Sequence, residues 1–538
     1  MAPCPKRGAM GLRVVASPVP VLHPENEKGM PMFSTNDHIL IASVVIYLVV
    51  SIAIGLFAAR RVSSSTDYMV AGRSLPLYIT VATVFATWFG SETVLGTSST
   101  FITDGLGGIV ADPFGAALCL ILVGMFFAVP LYKMNLLTIG DYYRQRYGRD
   151  IEVATSMVIM LSYLGWVAAQ LAALGLVFNV ISHDLISREV GMMIGAAIVI
   201  IYTLYGGMWS VALTDFFQMT LIMIGLVFIA WLVTGQIDGG VATVMSHATE
   251  AGKMDVLPEA NLAGILGFIG ALITLGLGSI PQQDVFQRVM SAKNAQTARN
   301  SAILGGVLYL IFAFLPIYLA YSAFIIDPAM VNRELGEGGD SQMVLPTLIL
   351  QHTPIFAQIL FFGALLSAIM STASGTLLAP STLFGENILR PILKPRDDAH
   401  LLQMVRRVVL VFGLFVTMFA YYQMSVEATI FEMVENAYKI VLCGAFVPLA
   451  FGLYWKRANV MGARLSMILG ISSWIVWEFL EYSYAGLNGA TGWSVFGLAD
   501  VAGVCPPQLA GFVMALLGML IGGYGWTDKT AAPVTPVN

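Results

Sequence analysis

Residues 86–99 read ATWFGSETVLGTSS, within a run that is otherwise apolar enough to sit in lipid. Backbone facing hydrocarbon must keep its hydrogen bonds, so an interruption such as Phe89-Gly90-Ser91-Glu92 is tolerated only where protein or a water-filled cavity satisfies the freed groups. A break of this kind marks a candidate binding site, although glycines in membrane helices also serve simply to pack them closely. Composition sets the surroundings. Hydrophobic residues make up 57% of the 538 residues and charged residues 11%, with a mean hydropathy of +0.79, whereas an ordinary soluble domain is about 25% charged. The chain reads as an all-α polytopic membrane protein, one helical bundle rather than several soluble domains. Cys4, Cys119, Cys443 and Cys505 show no paired spacing and suggest neither a disulfide framework nor a metal site.

About thirteen transmembrane helices are expected, near 38–59, 77–101, 114–132, 151–182, 190–206, 210–235, 262–287, 300–326, 354–385, 404–424, 428–455, 460–480 and 507–526. Arg60, Arg61 and Arg73, then Lys133, Arg144, Arg146 and Arg149, then Arg288, Lys293 and Arg299, fall in alternate loops of one side. So do Arg390, Lys394, Arg396, Arg406 and Arg407, and Lys456, Arg457 and Arg464. That side is expected to be cytoplasmic. The opposite loops hold only Arg188, Lys253 and Arg333, against acids that include Asp104, Asp112, Asp238, Glu259, Asp327 and Asp500. An odd number of spans then puts the amino terminus outside and the carboxyl terminus in the cytoplasm. Residues 1–36, rich in proline and without a signal-peptide core, are expected to be a disordered extension, with Met30 or Met32 as an alternative start. Residues 37–526 form the single transmembrane domain, and 527–538 a short cytoplasmic tail.

A second interruption stands at Leu277-Gly278-Ser279-Ile280-Pro281-Gln282-Gln283-Asp284, where Pro281 removes a backbone donor. Paired breaks at corresponding positions of two halves are the best sequence pointer to a carrier site. Each break opens a group of five spans, 77–235 and 262–455, as in an inverted five-plus-five repeat with two broken helices. A third polar segment runs from Ala368 to Gly375. Ala368, Ser371 and Thr372 are spaced i, i+3 and i+4, so one carbonyl and two hydroxyls share a helix face. Such an all-oxygen face suits a small hard cation; alternatively, the hydroxyls bond back to their own helix or let neighbours approach.

The chain resembles the sodium:solute symporter family from Asp67-Tyr68-Met69-Val70-Ala71-Gly72-Arg73-Ser74-Leu75-Pro76 to the span near 455. Its most specific match is Gly206-Gly207-Met208-Trp209-Ser210-Val211-Ala212-Leu213-Thr214-Asp215-Phe216-Phe217-Gln218, similar to the family signature. Phe286-Gln287-Arg288 with Ala292-Lys293 and the Ser371-Thr372 segment also match. The resemblance implies a LeuT-like core and sodium-driven symport into the cell, with Na+ as the coupling ion and no organic cofactor. It implies a sodium site of the Ala86, Phe89 and Ala368 carbonyls with the Ser371 and Thr372 side chains, and a role for Asp215 in sodium coupling. An acid only about 8 Å inside its span could equally be a near-surface carboxylate.

Trp88, Glu92, Thr93, Gln282, Gln283 and Asp284 are the candidate substrate-binding residues, suited to a small polar organic solute. Choline carriers resemble the chain in Ala86-Thr87-Trp88, Gly96-Thr97 and Phe286-Gln287-Arg288-Val289, and a tryptophan face can hold a quaternary amine such as choline or betaine. Their second break reads Ile-Pro-Trp-Gln, however, where this chain has Ile280-Pro281-Gln282-Gln283, so part of an aromatic cage is missing. Trp88 could also be ordinary packing. Glu435 and Lys439, at i and i+4 beside Glu432, are read as a buried ion pair. His183, His352 and His400 are expected to be solvated in loops. No nucleophile with its base and no His-Glu-x-x-His pattern is present, which argues against an enzyme. A passive channel is the rival class, separable because a carrier saturates and concentrates its solute. The expected partners are the solute, sodium and the lipid of the cell membrane, with no nucleic acid and no obligate protein partner.

Overall fold

The first helix begins where the sequence supplies a cap. Ser34 Oγ accepts the Asp37 N–H (3.2 Å) while the Asp37 carboxylate accepts the Ser34 N–H (2.7 Å), satisfying two of the donors that a helix start leaves free. Thr35–Ala59 follows. The computed structural model describes residues 34–258, 260–424, 429–486 and 504–526. Most of the expected amino-terminal extension, the expected tail, Cys4, Glu259 and Asp500 lie outside the described residues.

Ten helices among the described residues are long and apolar enough to cross a membrane, among them Leu106–Lys133, Arg149–Ile181, Ala295–Ile326, Ile355–Leu393 and Ile430–Tyr454. Their outward faces carry large apolar side chains such as Val49, Ile224, Trp231, Val411 and Met418, the surface that lipid covers. Arg188–Thr234 runs for 47 residues, about 70 Å at 1.5 Å per residue, roughly twice a hydrocarbon core. It divides at Gly207, whose φ of 50° and ψ of −142° lie outside the helical region, between the two spans read from the sequence.

Both expected interruptions are present. Leu77–Trp88 ends at Phe89 (φ −89°, ψ 75°), and helix resumes beyond Gly90, running through a wider turn over Glu92–Gly96 into Thr97–Asp104. Leu262–Gly276 gives way to a turn over 277–282 before Gln283–Ser291. The two broken helices also touch at one end, through an isolated parallel bridge between Leu75 and Ala292. Arg149–Ile181 packs against Arg188–Thr234, the Ile355–Leu383 helix and Ile430–Val441, and Ala295–Ile326 packs against Leu77–Trp88.

At the bundle end that carries Arg144 and Arg149, polar groups form a clasp. Asn387 accepts from Thr138 Oγ1 (2.6 Å) and donates to Asp141 (3.1 Å) and Glu152 (2.7 Å), while Arg149 holds the other oxygen of the fully buried Glu152 at 2.8 Å.

Two loop assignments are corrected. Asp112 is not in an outer loop: it is buried within Leu106–Lys133, where a residue of extended backbone (φ −137°, ψ 120°) precedes Pro113. Charge alone put it outside. Arg288, counted among the cytoplasmic loop cations, is 0% exposed within Gln283–Ser291. His183 and His400 are exposed, as expected, and His352 is half-buried; each also stands against an aspartate, His183 with Asp37 (3.1 Å), His352 with Asp327 (3.0 Å) and His400 with Asp397 (2.8 Å).

Candidate functional site

The oxygen face of the Ile355–Leu383 helix meets the first break. Thr372 Oγ1 lies 3.4 Å from the Ala86 carbonyl, as its donor, and Ser371 Oγ donates to Asp215 Oδ1 at 2.7 Å. Thr83 donates to the other Asp215 oxygen. Ala86, Phe89, Ala368, Ser371, Thr372 and Asp215 are all buried. A carbonyl at a helix end lacks an intrahelical donor, so the interruption at Phe89 frees the Ala86 carbonyl beside the Thr372 hydroxyl. Carbonyl and hydroxyl oxygens of this kind form a candidate cradle, of the ligand type that a small hard cation takes. Asp215, itself 0% exposed, is joined to it through Ser371.

The second group of candidate residues converges on the other side of the break. Trp88 Nε1 donates to Asp284 Oδ2 at 3.2 Å. Glu92 accepts from Trp166 Nε1 (3.0 Å) and Gln170 Nε2 (2.7 Å). Gln170 also accepts the freed Ser91 N–H at 3.0 Å, the service that a broken membrane helix requires. Tyr163 donates to Asp284 Oδ1 (2.5 Å) and accepts the Asp284 N–H (2.8 Å), doing the same for the second break. Gln282 donates to Ser162 (2.9 Å), and Gln283 accepts the Ile139 N–H (2.9 Å). Thr93 turns away toward Tyr309 (2.8 Å), which also holds Asp112.

Sequence reasoning missed the partners on Arg149–Ile181. Ser162, Tyr163, Trp166 and Gln170 recur at helical spacing, so one face of this apolar helix reaches both breaks. That polar stripe was the available signal. It also changes the aromatic inventory: Trp88 stacks on Tyr438 (6.3 Å) and meets Trp166 edge-on (6.0 Å), Trp166 stacks on Tyr163 (6.0 Å), and Trp166 lies 5.4 Å from Tyr438. Four rings from three elements therefore surround the Glu92 and Asp284 carboxylates.

Glu435 and Lys439 stand one turn apart and half-buried on Ile430–Val441. The expected pair is not among the ion pairs that the described residues make. Glu435 instead borders a small cavity shared with Glu92, Asp112 and Phe431.

This geometry, broken helices meeting an oxygen cradle inside a helical bundle, defines a multi-pass membrane transporter. A model of the sodium:solute symporter family matches residues 68–470, and the chain belongs to that family. It is thus a transporter rather than an enzyme, and sodium is the coupling ion that its family supports. The chain is 27% identical over 452 residues to the high affinity choline transporter 1 of Homo sapiens, covering 80% of this chain and 75% of that protein. It is 24% identical over 464 residues to the sodium/glucose cotransporter of Vibrio parahaemolyticus, covering 81% and 84% respectively. The solved structure of a Na+-coupled sialic acid symporter, in its substrate-bound outward-open state, superposes with a TM-score of 0.74 at 20% identity. That match covers 94% of this chain and all of the other, and so shows a shared fold.

Proposed function

We propose that the protein carries a small organic cation of the quaternary amine class into the cell together with sodium, by alternating access. Sodium occupies the cradle of Ala86, Phe89, Ala368, Ser371 and Thr372, with Asp215 as its coupling carboxylate. The solute lies among Trp88, Glu92, Gln282, Gln283 and Asp284. The observation that carries the reading is the cluster of Trp88, Tyr163, Trp166 and Tyr438 around two carboxylates. Ring faces and negative charge together favour an alkylammonium ion over a sugar, each good cation–π contact being worth about 0.5–2 kcal/mol. The rings rest on one another, so the helices that bear them must separate to admit a solute. The choline transporters among the relatives support the same solute class.

Thirteen crossings are the finer reading of the fold. Ten long helices, two broken ones and the division at Gly207 support that number, and the paired breaks support the inverted repeat. The arginine-rich loops favour a cell membrane placement with the amino terminus outside. Both cargo charges then move down the membrane potential, each supplying about 2.3 kcal/mol per 100 mV.

The test is binding of radiolabelled choline to purified protein in sodium and in potassium buffer, beside its uncharged isostere 3,3-dimethylbutanol. Choline is expected to bind in sodium at least about tenfold tighter than the isostere, a difference of about 1.4 kcal/mol, and Asp284→Asn is expected to reduce that preference. Stabilisation by glucose or proline but not choline would overturn the solute class. Uptake that neither saturates nor concentrates solute would favour the channel.

A further inference from the structure

Arg288 is fully buried, and neither the sodium cradle nor the aromatic cluster uses it directly. Its guanidinium lies between them. Nε donates to Thr87 Oγ1 on the first broken helix at 2.8 Å, and Nη1 donates to the Asp284 carbonyl on the second at 3.2 Å. Thr87 donates to the Thr83 carbonyl (2.8 Å), Thr83 donates to Asp215, and Ser371 donates to Asp215 (2.7 Å). A chain of contacts thus runs from the oxygen cradle to the first turn of the Gln283–Ser291 helix, the turn that leads out of the second break. The guanidinium charge acts on both the Asp215 and the Asp284 carboxylates.

Nη2 completes the argument. It is buried with no hydrogen-bond partner, and a Cβ added at Gly375 would lie 2.2 Å from it. Gly375 stands one helical turn from Ser371. A buried charged donor left unpaired is costly, and this one lies against the helix that carries the cradle. A cation arriving at Ser371 and Thr372 shares the field of Asp215 with the guanidinium. Like charges repel strongly where water is excluded, so the ion drives Arg288 toward Asp284.

Resting on the cradle reading above, we propose that Arg288 is the positioning residue that transmits sodium occupancy from the Ser371–Thr372 face to the second broken helix, tightening the 277–282 turn against which the solute binds. Binding sodium then orders the solute site through one side chain. In turn, the solute holds Arg288 where sodium is favoured, because coupling between two sites is reciprocal.

Hydrogen exchange on the purified full chain tests this without a solute, comparing sodium with potassium buffer. In the wild type, sodium is expected to slow exchange severalfold both at residues 86–93 and at residues 277–282. In Arg288→Gln the slowing at 86–93 should persist while that at 277–282 disappears. Gly375→Ala keeps the arginine but takes its space, so it should reproduce the loss and decides the matter if Arg288→Gln does not fold. Arg288→Lys, which keeps the charge without the fork, should retain part of the effect. A variant with the guanidinium removed or displaced that still protects 277–282 overturns the proposal alone. No sodium effect at 86–93 in the wild type overturns the cradle, and this inference with it.

Discussion

Ser371 and Thr372 differ in what they touch, and their substitutions should differ accordingly. Thr372 faces the Ala86 carbonyl directly, whereas Ser371 is already bonded to Asp215. Thr372→Ala should raise the sodium concentration for half-maximal uptake about tenfold, the loss of about 1.4 kcal/mol, with the surface amount of protein unchanged. Ser371→Ala should do the same and also release Asp215; uptake titrated with sodium checks both. Gly90 gives a steric counterpart. A Cβ there would meet Glu92 Oε2 at 2.4 Å and Thr372 Oγ1 at 2.6 Å, both held in place by other bonds. Gly90→Ala should therefore abolish uptake by prising the cradle from the broken helix, while leaving the protein inserted and detectable at the cell surface. Wild-type uptake in that variant would show that the two helices do not approach so closely in the working cycle.

The broken helices depend on an element that is itself unbroken. Gln170 bonds both Ser91 N–H and Glu92, and Tyr163 takes the same two parts toward Asp284. Gln170→Ala leaves a buried N–H and a carboxylate short of partners, an expected loss of about 1–3 kcal/mol, readable as a lowered unfolding temperature of the detergent-solubilised protein. Gln170→Glu should be worse, since it puts a second carboxylate against Glu92. The breaks themselves were legible in the sequence because glycine, proline and acids gathered within an apolar run are costly in lipid unless the bundle interior satisfies them. The helix that serves them was not. Ser162, Tyr163, Trp166 and Gln170 are spread thinly over a long hydrophobic span, and their meaning appears only once two distant turns are packed against one face. Asp112 and Arg288 were misread for a related reason. Charge places a residue at the surface by default, and only a buried partner network reverses that expectation: Tyr309 and Thr97 for Asp112, Thr87 and Asp284 for Arg288.

The long apolar helices and the paired interruptions could be read from the chain, whereas the closure of the bundle end that carries Arg144 and Arg149 could not. The clasp of Thr138, Asp141, Glu152 and Asn387 joins residues up to 249 positions apart. Asn387→Ala removes its central donor and should loosen that end. Faster hydrogen exchange over residues 138–152, with little change at 86–93, is the expected result; uniform exchange across both would mean that the clasp has no local role. The Arg149–Ile181 helix is fastened at its base through Glu152 and bears both unwound segments near its middle. In mechanical terms it is a lever with its latch at one end and its load along the shaft. Springing the latch should then loosen the hold on both unwound segments in one stroke, and a wedge jammed beneath that base is expected to arrest transport.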